Sequence, residues 1–352
     1  MTLEITEIQK KLLKMYIGEL KGIKVIGKEL NKDPRTIKPL LTSVGLKIPF
    51  PGSLWTKTRK HINKEFAHLI PLEIQEIIEG MMLGDANLRL QTKLQVNKKQ
   101  PLLSEYLRLL NRAEKLRKKI NEGKTITNKD ISNWNRCVSK ISKVNTAALR
   151  VHKSILEFQW IKTLIPLFSS FTKLKVFVKP SNTESIKWSC GFDTSSSVEF
   201  FSYWKNWYSN KLGKTKKVLK KDITLTPTVL LFWYIDDGYF SGTDLSLCTN
   251  NFAFEEQKYL IKLLSEVGIK AKIRKKGNHH QIGISLTNTN KKDFFSYIEQ
   301  ARLFKIANEL FPFKFSNSIS KKEWKNEIKE KFPEYFSEKT ENRKKILLKL
   351  LK

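Results

Sequence analysis

Two short stretches constrain this chain more than anything else in it. Ile78-Glu79-Gly80-Met81-Met82-Leu83-Gly84-Asp85-Ala86 and Leu230-Leu231-Phe232-Trp233-Tyr234-Ile235-Asp236-Asp237-Gly238 each run an apolar helical segment into an acidic residue followed by a small one. A helix this apolar is buried, and a carboxylate at its end leaves water only at a cost that a partner or a cation must offset. Pro71 and Thr226-Pro227 stand where the two helices should start, which puts Asp85 and Asp237 at their C-terminal ends. There the helix dipole repels a carboxylate. Two such ends in one chain predict a shared acidic site that favours a divalent cation over a bare acid. Hard cations such as Mg2+ take carboxylate oxygens together with water and phosphate.

The charge balance names the class of partner. Sixty-six Lys and Arg against 34 Asp and Glu leave a formal charge of +32, far beyond what solubility requires. A polyanion is implied, nucleic acid ahead of an anionic membrane surface. Hydrophobic residues at 40% and aromatics at 11% over 352 residues support a folded core and two or three domains, which excludes a disordered basic tail. The longest apolar stretch, around the second motif, is far shorter than a bilayer span, so no membrane partner is expected. Glu4, Glu7, Lys10 and Lys11 break up the start of the chain, and no signal peptide is expected there. Cys137, Cys190 and Cys248 are widely spaced without a CxxC pair, which argues against disulfides and a zinc site. The abundance of Lys, Asn, Ile and Phe fits an A+T-rich coding genome and hints at an organelle, mitochondrion or chloroplast.

An internal repeat carries the fold class. Phe200-Phe201-Ser202-Tyr203 returns as Phe294-Phe295-Ser296-Tyr297, each time after a polar turn and an alternating stretch, 186–192 and 280–286. Working back, 154–165 and 251–264 read as helices with apolar residues three to four apart, and each is followed by a basic alternating strand, 173–179 and 269–275. Each half is therefore helix, strand, strand, helix, strand, strand, helix, an α+β arrangement written twice. Asp85 lies 115 residues before Phe200 but Asp237 only 57 before Phe294, which locates an insertion of about 58 residues in the first half, placed at 98–146. The insertion carries Arg112, Lys115, Arg117, Lys118, Lys119, Lys124 and Lys129 and one helix near 102–120. A phosphate clamp and a solvated surface excursion weigh equally for it.

Two flanks lie outside the repeats. Residues 21–46 have the spacing of a helix-turn-helix, with a break at Asn31 to Pro34; Pro39 is tolerable only in the first turn of the second helix. Residues 319–352 form a Lys-rich amphipathic tail with Ile346, Leu347, Leu348, Leu350 and Leu351, suited to packing rather than catalysis. The domain reading is thus 1–69, an N-terminal helical region; 70–215, the first repeat with its insertion; 216–318, the second repeat; and 319–352, a C-terminal helix.

The two motif segments resemble the signature helices of the LAGLIDADG homing endonuclease family in its two-repeat, single-chain form, with Ala86 in place of the final glycine. The resemblance covers roughly 70–317 less the insertion. It implies paired motif helices at a pseudo-symmetric interface, flanked by saddle-shaped antiparallel sheets. The family carries a metal-binding acid at the eighth motif position, which maps onto Asp85 and Asp237. The metal set then reads Asp85, Asp237, Ala86 and Asp236; for Asp236 a structural salt bridge is at least as good a reading. A basic residue near the end of each repeat, beside the scissile phosphates, maps onto Lys217 and Lys314, so the catalytic set is Asp85, Asp237, Lys217 and Lys314. Gly80 and Gly84 would let the helix backbones approach closely, whereas their counterparts Phe232 and Asp236 are larger, so the packing cannot be symmetric.

DNA contacts would then fall to the strands, whose alternate side chains reach base edges in the major groove. The candidates are Arg89, Gln91, Lys93, Arg150, Lys175, Lys187, Lys270, Lys272, Arg274, Lys276 and Gln281, about half of them expected on phosphates. His279 and His280 read as surface histidines, and His61, His68 and His152 receive no role. The leading reading is a monomeric, sequence-specific endonuclease that cuts both strands of a long duplex site with Mg2+, or Mn2+ in its place. Against it stand an RNA maturase that helps its host intron splice and a DNA-binding protein that has lost cleavage. Affinity for duplex DNA should fall steeply as salt rises, through counterion release from several phosphates; an affinity nearly flat in salt would remove the nucleic-acid reading.

Overall fold

The two motif helices form where capping chemistry allows them to. In the computed structural model, which describes residues 5–48, 52–63, 69–90, 103–142, 144–180, 188–211, 214–277, 279–336 and 340–351, the first runs Leu72–Leu83 behind Pro71. The second runs Pro227–Asp237, with the Thr226 side chain accepting the Val229 N–H and Pro227 at the first helical position. The chain divides into two units. One takes Leu69–Arg89, Ala147–Ser196 and Phe200–Lys352; the other takes Met1–His68, Leu90–Thr146 and Ser197–Glu199.

The larger unit is α+β and holds both repeats. Its strands are β1 (Asn87–Leu90), β2 (Ala147–Ser154), β3 (Leu174–Pro180), β4 (Trp188–Thr194), β5 (Tyr208–Lys211), β6 (Lys214–Lys217), β7 (Gly238–Phe240), β8 (Leu245–Leu247), β9 (Ala271–Lys276) and β10 (His279–Ile284). Two four-stranded sheets have the same order, β1-β2-β4-β3 and β7-β8-β10-β9. Helices Phe158–Ser169 and Phe254–Glu266 occupy equivalent places, as do Val198–Trp207 and Asn288–Glu299, which carry the repeated FFSY segments. A third, two-stranded sheet, β5-β6, follows the first repeat and has no counterpart in the sequence pattern read above.

The motif helices pack backbone to side chain. A Cβ on Gly80 would lie 2.5 Å from the Val229 carbonyl oxygen and 2.6 Å from the Phe232 Cβ; one on Gly84 would lie 2.4 Å from the Asp236 Cβ. The asymmetry expected from the sequence is therefore an interlock, with glycine on one helix facing bulk on the other. Seven successive residues, Val229 to Ile235, are buried on the second helix. The C-terminal tail is two helices rather than one, Lys321–Lys331 and Thr340–Leu350, broken around Phe332-Pro333. Trp324, Leu347 and Leu351 are buried, while Ile346 and Leu350 face outward.

Apart from Leu90, the described residues of the smaller unit form helices and their connections, and they show what the insertion does. Helices Leu103–Asn121 and Asn128–Ile141 take up the insertion, where one had been expected. The second is signalled by its Thr127/Asp130 capping box and by Ile131, Trp134, Val138 and Ile141 on one face. Tyr106, Leu109, Leu110, Leu116, Trp134 and Ile141 share one core with Leu12, Tyr16, Ile17, Ile26, Ile37, Leu41 and Trp55 from the N-terminal segment. Tyr16 stacks on Trp55 at 4.4 Å, His61 Nδ1 lies 2.8 Å from the Tyr106 hydroxyl, and Arg117 donates to the Gly18 carbonyl. The insertion is thus half of a domain core and not a solvated excursion: its apolar stripe had too much surface to leave in water. The helix-turn-helix segment forms as Ile23–Glu29 and Pro34–Ser43, with Asn31 at φ 51° in the turn and Asp33 accepting the Arg35 N–H at 2.7 Å. Pro39 is the sixth residue of the second helix, beyond its first turn. The helix forgoes one ladder bond there, and fully buried Ile37 and Leu41 hold it in place.

Gly80→Ala and Gly84→Ala should each destabilise the protein by about 1–3 kcal/mol, because the added methyl meets backbone or a Cβ rather than a flexible tip. Urea unfolding checks this, and a change below about 0.5 kcal/mol would contradict the interlock.

Candidate active site

Asp85 and Asp237 reach the site by different routes. Asp237 is the last residue of its helix, while Asp85 lies two residues past the end of the other, beyond Gly84. The Asp85 side chain is 58% exposed; Asp237 is largely buried. Burial, then the negative charges of Asp85 and Asp236, push the Asp237 carboxyl up to about 7. The acids are therefore close enough to repel one another. Among the described residues, no group of three or more His, Cys, Asp or Glu side chains is placed to hold a metal by itself. Asp85 and Asp237 are carboxylates that could contribute oxygens to a hard cation.

Both sequence-assigned lysines lie against the motif ends, in matching places. Lys217, at the end of β6, donates to the Gly84 carbonyl at 2.7 Å and to that of Ala86 at 3.2 Å. Lys314, in the short Pro312–Phe315 helix, donates to the Gly238 carbonyl at 2.7 Å and to that of Tyr234 at 3.2 Å. The Tyr234 hydroxyl donates in return to the Lys314 carbonyl. Burial brings both ammonium groups down to about 8, against the pull of the nearby acids. Each lysine thus pins the turn that carries an acid and stands close to losing its proton.

Lys153 is the residue that the sequence reading missed. Its Nζ lies 3.0 Å from Asp85 Oδ2 and 2.8 Å from Asp236 Oδ1, with the lysine side chain 3% and Asp236 1% exposed. Burial opposes the charge, but Asp236, Glu157 and Asp85 outweigh it and hold the ammonium above the usual lysine range. The signal was present in β2, where Leu149, Val151 and Lys153 share one face while Arg150 and His152 point the other way. Asp236 also accepts the Asp85 N–H at 3.3 Å. Its carboxylate is held by Lys153 and the Asp85 backbone, the salt bridge weighed for it in the sequence. The Ala86 carbonyl is likewise taken up by Lys217.

The proposed DNA contacts sort by strand parity. In β9 and β10, Lys272, Arg274, Lys276 and Gln281 share one face with Ser246 and Tyr239, opposite buried Ile282 and Ile284. Lys270, just before β9, has the same parity. Lys175 and Arg150 face the same way as each other across Asp193, and Arg89 is exposed in β1. Two of the candidates are paired with acids. Arg150 makes a bidentate pair with Asp193 at 2.5 Å, and Arg274 binds Asp244 at 2.8 Å while lying across Gly283. Each guanidinium group is thus held by a carboxylate. Gln281 is 8% exposed beside Arg274. Gln91, Lys93 and Lys187 lie outside the described residues.

Comparison with known proteins bears on the resemblance. Residues 135–294 match the model of the LAGLIDADG DNA endonuclease family. The match spans 160 residues, a little under half of the chain. The match takes in Lys153, Lys217 and Asp237; Asp85 and Lys314 lie outside it. Among curated relatives, the cytochrome b mRNA maturase bI2 of Debaryomyces hansenii is 31% identical over 171 residues, 47% of this chain and 61% of that protein. The protein of the same name from Saccharomyces cerevisiae is 36% identical over 89 residues, 24% of this chain and 21% of that one. The chain thus spans less than two thirds of either relative. A solved structure, the homing endonuclease I-WcaI bound to its DNA recognition sequence, matches over 73% of this chain and 93% of that one, at 17% identity and a TM-score of 0.47.

The raised Asp237 carboxyl has a stability consequence. It keeps its proton up to about 7 when folded but releases it near 3.8 when unfolded. Between those values the folded state binds more protons, so the stability of ion-free protein falls as pH rises and levels off above 7. Asp237→Asn should remove that decline and gain on the order of 2 kcal/mol at pH 7.5, with little change near pH 4. Thermal unfolding in chelator measures it; a variant no more stable than wild type at pH 7.5 would contradict the assignment.

Proposed function

We propose that this protein is a sequence-specific, divalent-metal-dependent endonuclease acting on both strands of duplex DNA, as a monomer. The observation that carries the reading is the pairing of Asp85 and Asp237 at adjoining helix ends, each beside a buried lysine bound to the turn that presents it. A pure binding protein gains nothing from that repulsive cluster. Asp85 and Asp237 would hold the cation, Mg2+ or in its place Mn2+, which supplies an activated water and neutralises the charge that develops on the phosphate. Lys217 and Lys314 each pin the turn that carries one acid and place positive charge beside it. Burial pushes the Asp236 carboxyl up, and Lys153 beside it opposes that shift, so the interlocked helices tolerate an acid that would otherwise be unpaired. The exposed lysines of β3 and β9 would bind backbone phosphates, which fixes the register of the duplex without specifying its sequence.

A second reading is favoured by the relatives, both named as cytochrome b mRNA maturases. On it, the same basic faces would bind intron RNA, and the protein would act in the organelle that houses that transcript.

The decisive experiment supplies purified protein with Mg2+ and a library of random duplex sites, in parallel with intron RNA. Cleavage is expected from wild type and abolished by chelator. Asp85→Asn and Asp237→Asn should each abolish double-strand cleavage with binding kept or tightened, and Lys314→Ala should slow it by ~10² fold. Cleavage at full rate by the doubly substituted protein would end the endonuclease reading. Wild type that binds only structured RNA and never cuts duplex would replace it with the maturase reading.

A further inference from the structure

The helical unit has no part in the chemistry above, yet it carries more than half of the chain's net positive charge. Residues 1–68 and 90–146 hold 28 Lys and Arg against 10 Asp and Glu, and between Asp33 and Glu65 there is no acidic residue at all. Its apolar stripes pack into one core. The Pro34–Ser43 helix buries Ile37 and Leu41 and exposes Arg35, Thr36, Lys38 and Thr42. The Arg35 side chain is 93% exposed and 3.9 Å from Asp33.

A second feature continues this face. Just past the helix, Val44, Gly45 and Lys47 line one wall of a groove of about 500 Å³ whose other wall is the Asn128–Ile141 helix, with Asn135, Arg136 and Lys140. Asn135 ties the walls together: it donates to the Gly45 carbonyl at 2.8 Å and accepts the Lys47 N–H at 2.9 Å. The N-terminal segment and the insertion thus place one exposed helix and two outlying cations, Lys47 and Arg136, on a single rigid piece.

We propose that the helical unit is a second DNA-binding module: the Pro34–Ser43 helix enters the major groove of duplex DNA, and Lys47 and Arg136 hold the flanking phosphates. The geometry is that of a helix-turn-helix, whose second helix contacts base edges through its N-terminal residues, here Arg35, Thr36 and Lys38. Duplex DNA is favoured over RNA because the B-form major groove admits an α-helix, whereas the deep, narrow A-form groove does not. Such a module would lengthen the recognised site beyond what the sheets cover. The inference does not require the chain to cut DNA, only to bind it.

The test uses the full chain with a photo-cross-linking residue placed at Thr36 or, separately, at Lys272 on β9, mixed with duplex DNA selected for binding and with intron RNA. Cross-links to duplex DNA are expected from both positions. Cross-links from 272 but not from 36 would overturn this inference and leave the endonuclease reading standing. Cross-links from 36 to RNA alone, or none from either position, would overturn it too. In parallel, Arg35→Ala with Lys38→Ala should weaken duplex binding roughly tenfold or more and shorten the nuclease footprint at one end, and Lys47→Gln with Arg136→Gln should lower the salt slope by about two. Unchanged affinity and footprint in the first pair would refute the module even if the second pair failed to fold.

Discussion

Close contact between two apolar helices is the constraint from which the rest follows. Gly80 and Gly84 bring the Leu72–Leu83 helix against Phe232 and Asp236 of its partner, with no space for a methyl group at either glycine. The acids delivered by the second helix, Asp236 and Asp237, are therefore desolvated, while Asp85 stays exposed. Burial drives Asp237 towards neutrality and Lys217 and Lys314 towards deprotonation, so three groups that would be remote from titration in water sit within reach of neutral pH. The helices do not merely hold the acids; their packing sets what the acids can do.

The pseudo-symmetry is strict in topology and broken in detail. Both repeats use the same strand order, and each has a lysine on the carbonyls of its motif turn. The second repeat, however, has two consecutive acids where the first has Gly84-Asp85. Asp236 falls opposite Gly84 for steric reasons, and once buried it needs a cation. Lys153, from the first repeat, meets that need and binds Asp85 with the same ammonium. The two halves of the site are thereby unequal: one acid is exposed and ion-paired, the other is buried and raised.

How much of this could be read in the sequence depended on whether a signal was local. The repeats, the capped motif helices and the positions of Lys217 and Lys314 follow from periodicity, proline placement and motif resemblance, all visible over short windows. Lys153 escaped because its partners are 68 and 83 residues away, and a lysine in a strand reads as outward-facing unless its parity with Leu149 and Val151 is followed. The pairings of Arg150 and Arg274 escaped for the same reason. Their acids, Asp193 and Asp244, become neighbours only once strands pair, and a long basic side chain on an open face gives no sign of that pairing. The helix Asn128–Ile141 was legible from its capping box but hidden by a polar composition.

The helical unit shows how an insertion can be accommodated without disturbing a sheet. The chain leaves the larger unit after β1 and returns at β2, the two strands that would otherwise be joined by a turn. Nothing in the sheet order changes, because the excursion begins and ends at neighbouring strands. The excursion does not fold alone: Tyr106, Leu110 and Trp134 complete a core begun by Leu12, Tyr16 and Ile37, residues about a hundred positions earlier. Bringing those stretches together closes the intervening segment, Leu69–Arg89, into a loop at an entropic cost that grows only slowly with length. That segment is the first motif helix with Asp85. One stretch of chain is thus bracketed by both halves of the helical core while it supplies half of the acidic site, so the loop that the core must close is itself an ordered, buried helix.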